Sequence, residues 1–286
     1  MFDYKSYLSA VESFSKKGYE TVKIGETVLG APIYAIRRGI AGKINCLIHA
    51  TIHAREYITS ALVVKMIETY TPKKCGIWYI PIVNIDGMRI ARGEKILPPE
   101  KEKMFSEFGD LRLIKCNANG VDLNVNFDAD FGKGAKNVRF PAAENYIGEY
   151  PFSEPETAAL RDFTLAVKPV VTISYHIKGE EIYYGYGEYN DFFAQAQKVS
   201  EVCGYPLKIA KNSCGGYKDW YILNRMGLGL TVEAGDDSYP HPYPNSRFGS
   251  IWKKNRDVPR ICDEIAGEIY DELYGRSDNR GEEGGE

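Results

Sequence analysis

A chain of 286 residues with 44% hydrophobic content is long enough to bury one sizeable core. Its net charge of −3 leaves no basic excess for holding nucleic acid or an anionic membrane, and no apolar run reaches membrane-spanning length. The start, Met1-Phe2-Asp3-Tyr4-Lys5, has neither the basic segment nor the apolar core of a leader peptide, so the expectation is a cytoplasmic protein unless a leader has been removed.

In chain order, the first strand-like run covers 45–53, followed by a helical pattern at 57–70 and a second apolar run at 77–84. The stretch from Ala91 to Asn126 is charged and weakly periodic, which suggests an excursion over a site. Ser153-Glu154-Pro155-Glu156 starts a helix over 155–167, with proline in the first turn and acidic residues at the positive end of the dipole. An apolar run at 170–176, helical patterns at 191–202 and 217–225, and a last apolar run at 228–233 follow. A long helix is expected somewhere in 251–274. Residues 277–286, rich in Gly and Glu, read as a disordered tail to a single domain spanning 1–276. Strands alternating with helices predict an α/β fold with a mostly parallel sheet covered on both faces. The six cysteines (Cys46, Cys75, Cys116, Cys203, Cys214, Cys262) form no CxxC pair and read as ordinary thiols in a reducing compartment.

Three of the apolar runs end in residues that carry chemistry. The first delivers His53-Ala54-Arg55-Glu56, the third ends at His176 and the last at Glu233. Open α/β sheets place their sites at this C-terminal edge. Two His and one Glu bind zinc while leaving a fourth position for water, and a further Glu can act as base. His49, inside the strand, reads as core or as a residue behind the ligands. His241, in Pro240-His241-Pro242, reads as a loop residue beside the site.

Five blocks in order then resemble the zinc carboxypeptidase family of the carboxypeptidase A type: His53-Ala54-Arg55-Glu56; Ile80-Pro81-Ile82-Val83-Asn84-Ile85-Asp86-Gly87; Gly120-Val121-Asp122-Leu123-Asn124; Ser174-Tyr175-His176; and Gly215-Gly216-Tyr217-Lys218-Asp219-Trp220 leading to Thr231-Val232-Glu233. The resemblance implies a mixed, twisted sheet of eight strands flanked by helices on both faces. It also implies one zinc held by His53, Glu56 and His176, with Glu233 activating a water. The family's oxyanion cation falls at Lys115, with Arg112 as second candidate. Arg55, Arg112, Asn124, Lys211, Tyr217 and Lys218 are the expected substrate-binding positions.

The departures bear on the substrate. The family's bidentate clamp for a terminal carboxylate is an Arg directly after the block's Asn, and here that position is Val125, which has no side-chain donor. The position of the family's mobile tyrosine is Lys211, and the position that sets side-chain specificity is Lys218. A cation has left the terminal-carboxylate site and lysines have appeared around the pocket, as suits a leaving group whose carboxylate lies elsewhere. In these departures the chain resembles the γ-D-glutamyl-meso-diaminopimelate peptidases, which implies a peptide or muropeptide substrate. Two alternatives are a carboxypeptidase for acidic C-terminal residues and a zinc-dependent peptide-binding protein without catalysis.

Overall fold

The computed structural model describes residues 2–210 and 214–275. Lys211 and the expected tail, 277–286, lie outside the described residues. In chain order the elements are α1 (Tyr4–Lys16), β1 (Glu20–Glu26), β2 (Pro32–Gly39), β3 (Asn45–Ala50), α2 (Ile58–Thr69), β4 (Gly76–Ile80), α3 (Ile85–Ala91), α4 (Pro99–Ser106), α5 (Pro155–Val167), β5 (Val171–His176), β6 (Glu181–Tyr184), α6 (Phe193–Cys203), β7 (Leu207–Lys208), α7 (Tyr217–Leu223), β8 (Leu228–Glu233), α8 (Phe248–Asn255) and α9 (Val258–Tyr274).

Every residue of β3, β4 and β5 is buried, which requires cover on both faces of the sheet. The alternation of side chains assigns that cover. Cys46 points to α9, its Sγ 3.7 Å from the Cys262 carbonyl, while His49 has opposite parity and meets the ring of Tyr217 in α7 edge-on at 4.5 Å. The strands form one eight-stranded sheet ordered β1-β2-β4-β3-β5-β8-β6-β7. Its centre, β4-β3-β5-β8, is parallel, and antiparallel pairs β1-β2, β2-β4 and β6-β8 make it mixed. Parallel register brings His176 and Glu233 directly opposite one another at the carboxyl edge.

Several boundaries differ from the sequence expectation. The first apolar run leaves the sheet at Ala50, because Thr51 turns through φ 52° and its hydroxyl bonds those of Thr59 and Ser60. His53 therefore sits beyond the sheet edge, at the head of a one-turn 3-10 segment, Ala54–Glu56. The long closing helix expected within 251–274 is α9, with Pro259 in its first turn, and the shorter α8 precedes it. The excursion from Ala91 to Asn126 is partly ordered by a small apolar cluster of its own around Ile90, Phe105, Ile114 and Cys116. Helices α3 and α4 and strands β1, β2, β6 and β7 were not expected from the sequence, nor was α1, although Tyr7, Val11 and Phe14 stand at helical spacing and are its buried face. Among the described residues the cysteines are free thiols, and no helix is long and apolar enough to cross a membrane.

Gly215 (φ 83°) seats the segment before α7 on the Asn124–Phe127 chain. A Cβ there would stand 2.7 Å from the Val125 carbonyl oxygen, while the Gly215 carbonyl accepts from Phe127 N at 2.9 Å. The position that lost its clamp and the start of the helix carrying Lys218 are thereby held together.

Candidate active site

The loop after β3 is held by backbone contacts from two other segments. Ala54 N donates to the Lys115 carbonyl at 3.0 Å and Arg55 N to the Ile114 carbonyl at 3.1 Å. The Asn84 amide reaches both the Ile52 and Lys115 carbonyls at 3.2 Å. This places His53 and Glu56 against His176 at the end of β5. His53 Nδ1 lies 2.9 Å from Glu56 Oε1, His176 Nδ1 lies 3.2 Å from Glu56 Oε2, and the two Nδ1 atoms are 3.2 Å apart.

The outer nitrogen of each imidazole is held separately. Asp122 Oδ1 is 3.2 Å from His53 Nε2, and the Ser174 hydroxyl is 3.2 Å from His176 Nε2. A carboxylate on Nε2 fixes the proton there and turns the Nδ1 lone pair inward. Two such lone pairs and a carboxylate converge in a buried space, with all ligand atoms within 4.8 Å of one another. Without a cation between them they repel. Burial works against charge on His53, yet Glu56 and Asp122 push its pKa up to about 9, while burial pulls His176 down. The pair thus calls for a single shared positive charge, and the N2O donor set suits a zinc ion.

Glu233 stands opposite His176, and antiparallel pairing sets it opposite Glu181 on its other side. Burial, followed by the negative charge of Glu56, pushes the Glu233 carboxyl up to about 8. The charge of Lys115 acts in the reverse direction on Glu233 and also bears on His176 and Asp122. The arrangement contains a metal triad, a carboxylate that can exchange a proton and a cation within electrostatic reach. It is equipped for hydrolysis of a carbonyl compound.

The zinc carboxypeptidase family profile matches residues 4–258. The chain belongs to the zinc carboxypeptidase family. The His53, Glu56 and His176 donor set fits the zinc that the family is named for. The chain is 29% identical over 260 residues to a gamma-D-glutamyl-L-diamino acid endopeptidase 1 from Lysinibacillus sphaericus, covering 81% of this chain and 64% of that protein. Murein peptide amidase A of Escherichia coli is 28% identical over 163 residues, covering 54% of this chain and 58% of that protein. The chain thus spans under two thirds of the length of both these curated relatives. The fold matches that of bovine thrombin-activatable fibrinolysis inhibitor with a TM-score of 0.74 at 20% identity, over 95% of this chain and 98% of that one.

The other expected site residues divide. Lys115 and Arg55 converge on one carboxylate, Glu144 Oε2, each at 3.6 Å. Lys218 is buried, its ammonium donating to the Gly185 carbonyl at 2.7 Å and paired with Asp219 Oδ1 at 2.7 Å. Asn124 is half-buried and its Oδ1 accepts from Tyr217 N at 3.3 Å, bracing the start of α7. Two expectations are corrected. Arg112 is 72% exposed, and its guanidinium forks onto Asp110, which accounts for its charge away from the triad. Tyr217 is fully buried, its hydroxyl 3.1 Å from that of Thr164 and its ring against His49 and Phe127, so it is core rather than pocket lining. His49 is core, as expected, and burial pulls its pKa down to about 3.

Sequence reading missed the roles of Asp122 and Glu144. Asp122 lies inside a matched block, but its contact with His53 appears only in the fold. Asp122→Asn is expected to weaken zinc affinity by roughly 10- to 100-fold while thermal stability of the zinc-loaded protein changes little. Chelator competition measures this, and unchanged affinity would remove Asp122 from the metal's support.

Proposed function

We propose that this chain hydrolyses the γ-D-glutamyl-meso-diaminopimelate bond of bacterial cell-wall peptides. The observation that carries the reading is the pairing of Val125 at the clamp position with the buried Lys218 of α7, whose start is seated on Val125 through Gly215. A γ-D-glutamyl-diamino acid endopeptidase and a murein peptide amidase stand among the relatives and support the same substrate class.

His53, Glu56 and His176 would hold the zinc, which when bound supplies Lewis acidity and lowers the pKa of a water toward ~7. Glu233 takes the proton of the attacking water and delivers it to the leaving amine, so one carboxylate serves as base and then acid. Lys115 places positive charge where the carbonyl oxygen becomes an oxyanion. An ammonium has three donors, of which the Gly185 carbonyl takes one on Lys218, with Asp219 Oδ1 2.7 Å away as its ion-pair partner. A donor of Lys218 is left for the distal carboxylate of diaminopimelate.

Defined muropeptides tested beside peptides with a C-terminal Glu or hydrophobic residue, with and without chelator, decide the reading. Chelator-sensitive cleavage of the γ-D-glutamyl bond is expected to be fastest, and faster release of ordinary C-terminal residues would overturn it. Within this scheme Lys218→Ala should lower kcat/KM by roughly 10- to 150-fold on the diaminopimelate substrate and leave a lysine-containing analogue nearly unaffected. Equal losses on both would make Lys218 structural.

A further inference from the structure

One side chain closes the turn between Lys115 and Asp122. Asn117 N donates to the Val121 carbonyl at 2.8 Å, and Gly120 N donates to the Asn117 carbonyl at 3.0 Å. Inside the turn, Asn117 Oδ1 accepts from Asn119 N at 3.0 Å and from Val121 N at 3.1 Å. Lys115 and Cys116 lead into the turn, and Asp122 leads directly out of it. The Lys115 carbonyl accepts from Ala54 N in the metal loop, and Asp122 Oδ1 stands 3.2 Å from His53 Nε2. The spacing of these two arms is set where the turn closes.

The turn is also gripped from outside. Asn117 is fully buried, and its Nδ2 donates to Glu154 Oε2 at 2.7 Å and to Glu156 Oε2 at 3.1 Å. Asn119 Nδ2 gives Glu154 Oε2 a second bond at 2.8 Å, and Lys101 Nζ donates to Asn119 Oδ1 at 2.6 Å. Both glutamates are buried at the start of α5, on either side of Pro155. Their other oxygens accept from Ser153 Oγ at 2.8 Å, on Glu154, and from Val28 N at 3.2 Å, on Glu156. Burial pushes the Glu156 carboxyl up to about 8, which spares the pair a second buried charge at neutral pH. The amide of asparagine accepts on one side and donates on the other, as this position between turn amides and carboxyls requires. An apolar residue there would leave two turn N–H groups and a buried carboxylate short of partners.

We propose that Asn117, clamped between the turn amides and the Glu154–Glu156 pair, is a positioning residue for hydrolysis that sets both Lys115 and Asp122. The clamp ties the turn to α5, which packs on β1 with Ala159 against Gly25. Through the arm that enters the turn, it sets the lysine against the reacting carbonyl. Through the arm that leaves, it sets the carboxylate against His53. The Lys115 half rests on the oxyanion role proposed above, the Asp122 half does not, and neither depends on which peptide is cleaved.

The test uses the zinc-loaded protein and the fastest-cleaved peptide of the set described above. Asn117→Ala should lower kcat by roughly 10- to 100-fold with KM changed less than about threefold, the range for a catalytic group displaced by about 1 Å. In a Lys115→Met background the same change should cost less than about threefold, because the displaced cation is already gone. Chelator competition should show zinc held roughly 10-fold more weakly in Asn117→Ala, with no further weakening when the change is added to Asp122→Asn. Should Asn117→Ala fail to fold, Asn119→Ala removes one outer bond at a half-buried position, and smaller losses with the same dependence are expected. A kcat loss that persists in full beside Lys115→Met would overturn the Lys115 half, and native zinc affinity in the folded variant would overturn the Asp122 half. Native kcat in Lys115→Met itself would move the oxyanion role off that lysine, and the zinc-affinity comparison would still decide Asn117.

Discussion

Glu233→Gln is expected to lower kcat by at least ~100-fold, about 2.7 kcal/mol of transition-state stabilisation, while zinc content stays near one per chain. Gln preserves shape and hydrogen bonding but cannot accept the proton of the attacking water. Glu233 lies at the end of β8 opposite His176, so its replacement leaves the three ligands and the Asp122 and Ser174 contacts that orient them untouched. The same residue sets the acidic side of the pH profile. Burial and Glu56 raise its pKa toward about 8, and only the ionised form is a base, so activity rises with pH through its titration. A bound cation beside it favours the ionised form and moves that limb lower. In Glu233→Gln the residual rate should lose this limb. Metal analysis and a kcat profile against pH check both statements, and a loss below tenfold with the limb retained would place the base elsewhere.

Lys115→Met should reduce kcat by about 10²–10³ with KM changed far less, because its charge is needed only once the oxyanion develops. Its backbone is tied to the metal loop through the Ala54 and Asn84 contacts, and to the segment carrying Glu144 through Ala143. Methionine keeps most of the apolar stem, so the fold should survive. The half-exposed Glu144 carboxylate, 3.6 Å from the ammonium, is too distant and too solvated to compete strongly with a developing negative charge in the site. Wild-type kcat in Lys115→Met would transfer the role to Arg55, which reaches the same carboxylate.

Much of this was legible in the sequence because it depends on one element at a time. A fully buried strand reads as an unbroken apolar run, and parallel strands end at a common edge, so His53, His176 and Glu233 declared themselves as residues at run ends. The ordered blocks extended that reading to the mixed sheet of eight strands. Short edge strands such as β7 and small helices such as α3 were not legible, because two to seven residues cannot display a period.

What the sequence by itself determined is which residues the candidate site presents: two histidines and two glutamates at or just past the run ends, Val125 at the clamp position and the lysine at 218. The tertiary structure alone decided which neighbours those residues keep. Tyr217 shares a block with Lys218 but faces a different side of α7, toward His49 and Thr164, because the helix turns adjacent residues about 100° apart. Arg112 and Lys115 are both cations just upstream of the same block, yet only Lys115 has its backbone hydrogen-bonded to the metal loop, while Asp110 captures Arg112. Asp122 on His53 and Glu144 between two cations come from loops that meet only after the sheet has formed. Contacts of that kind follow from the packing of distant segments, and neither hydrophobic period nor motif spacing encodes them locally.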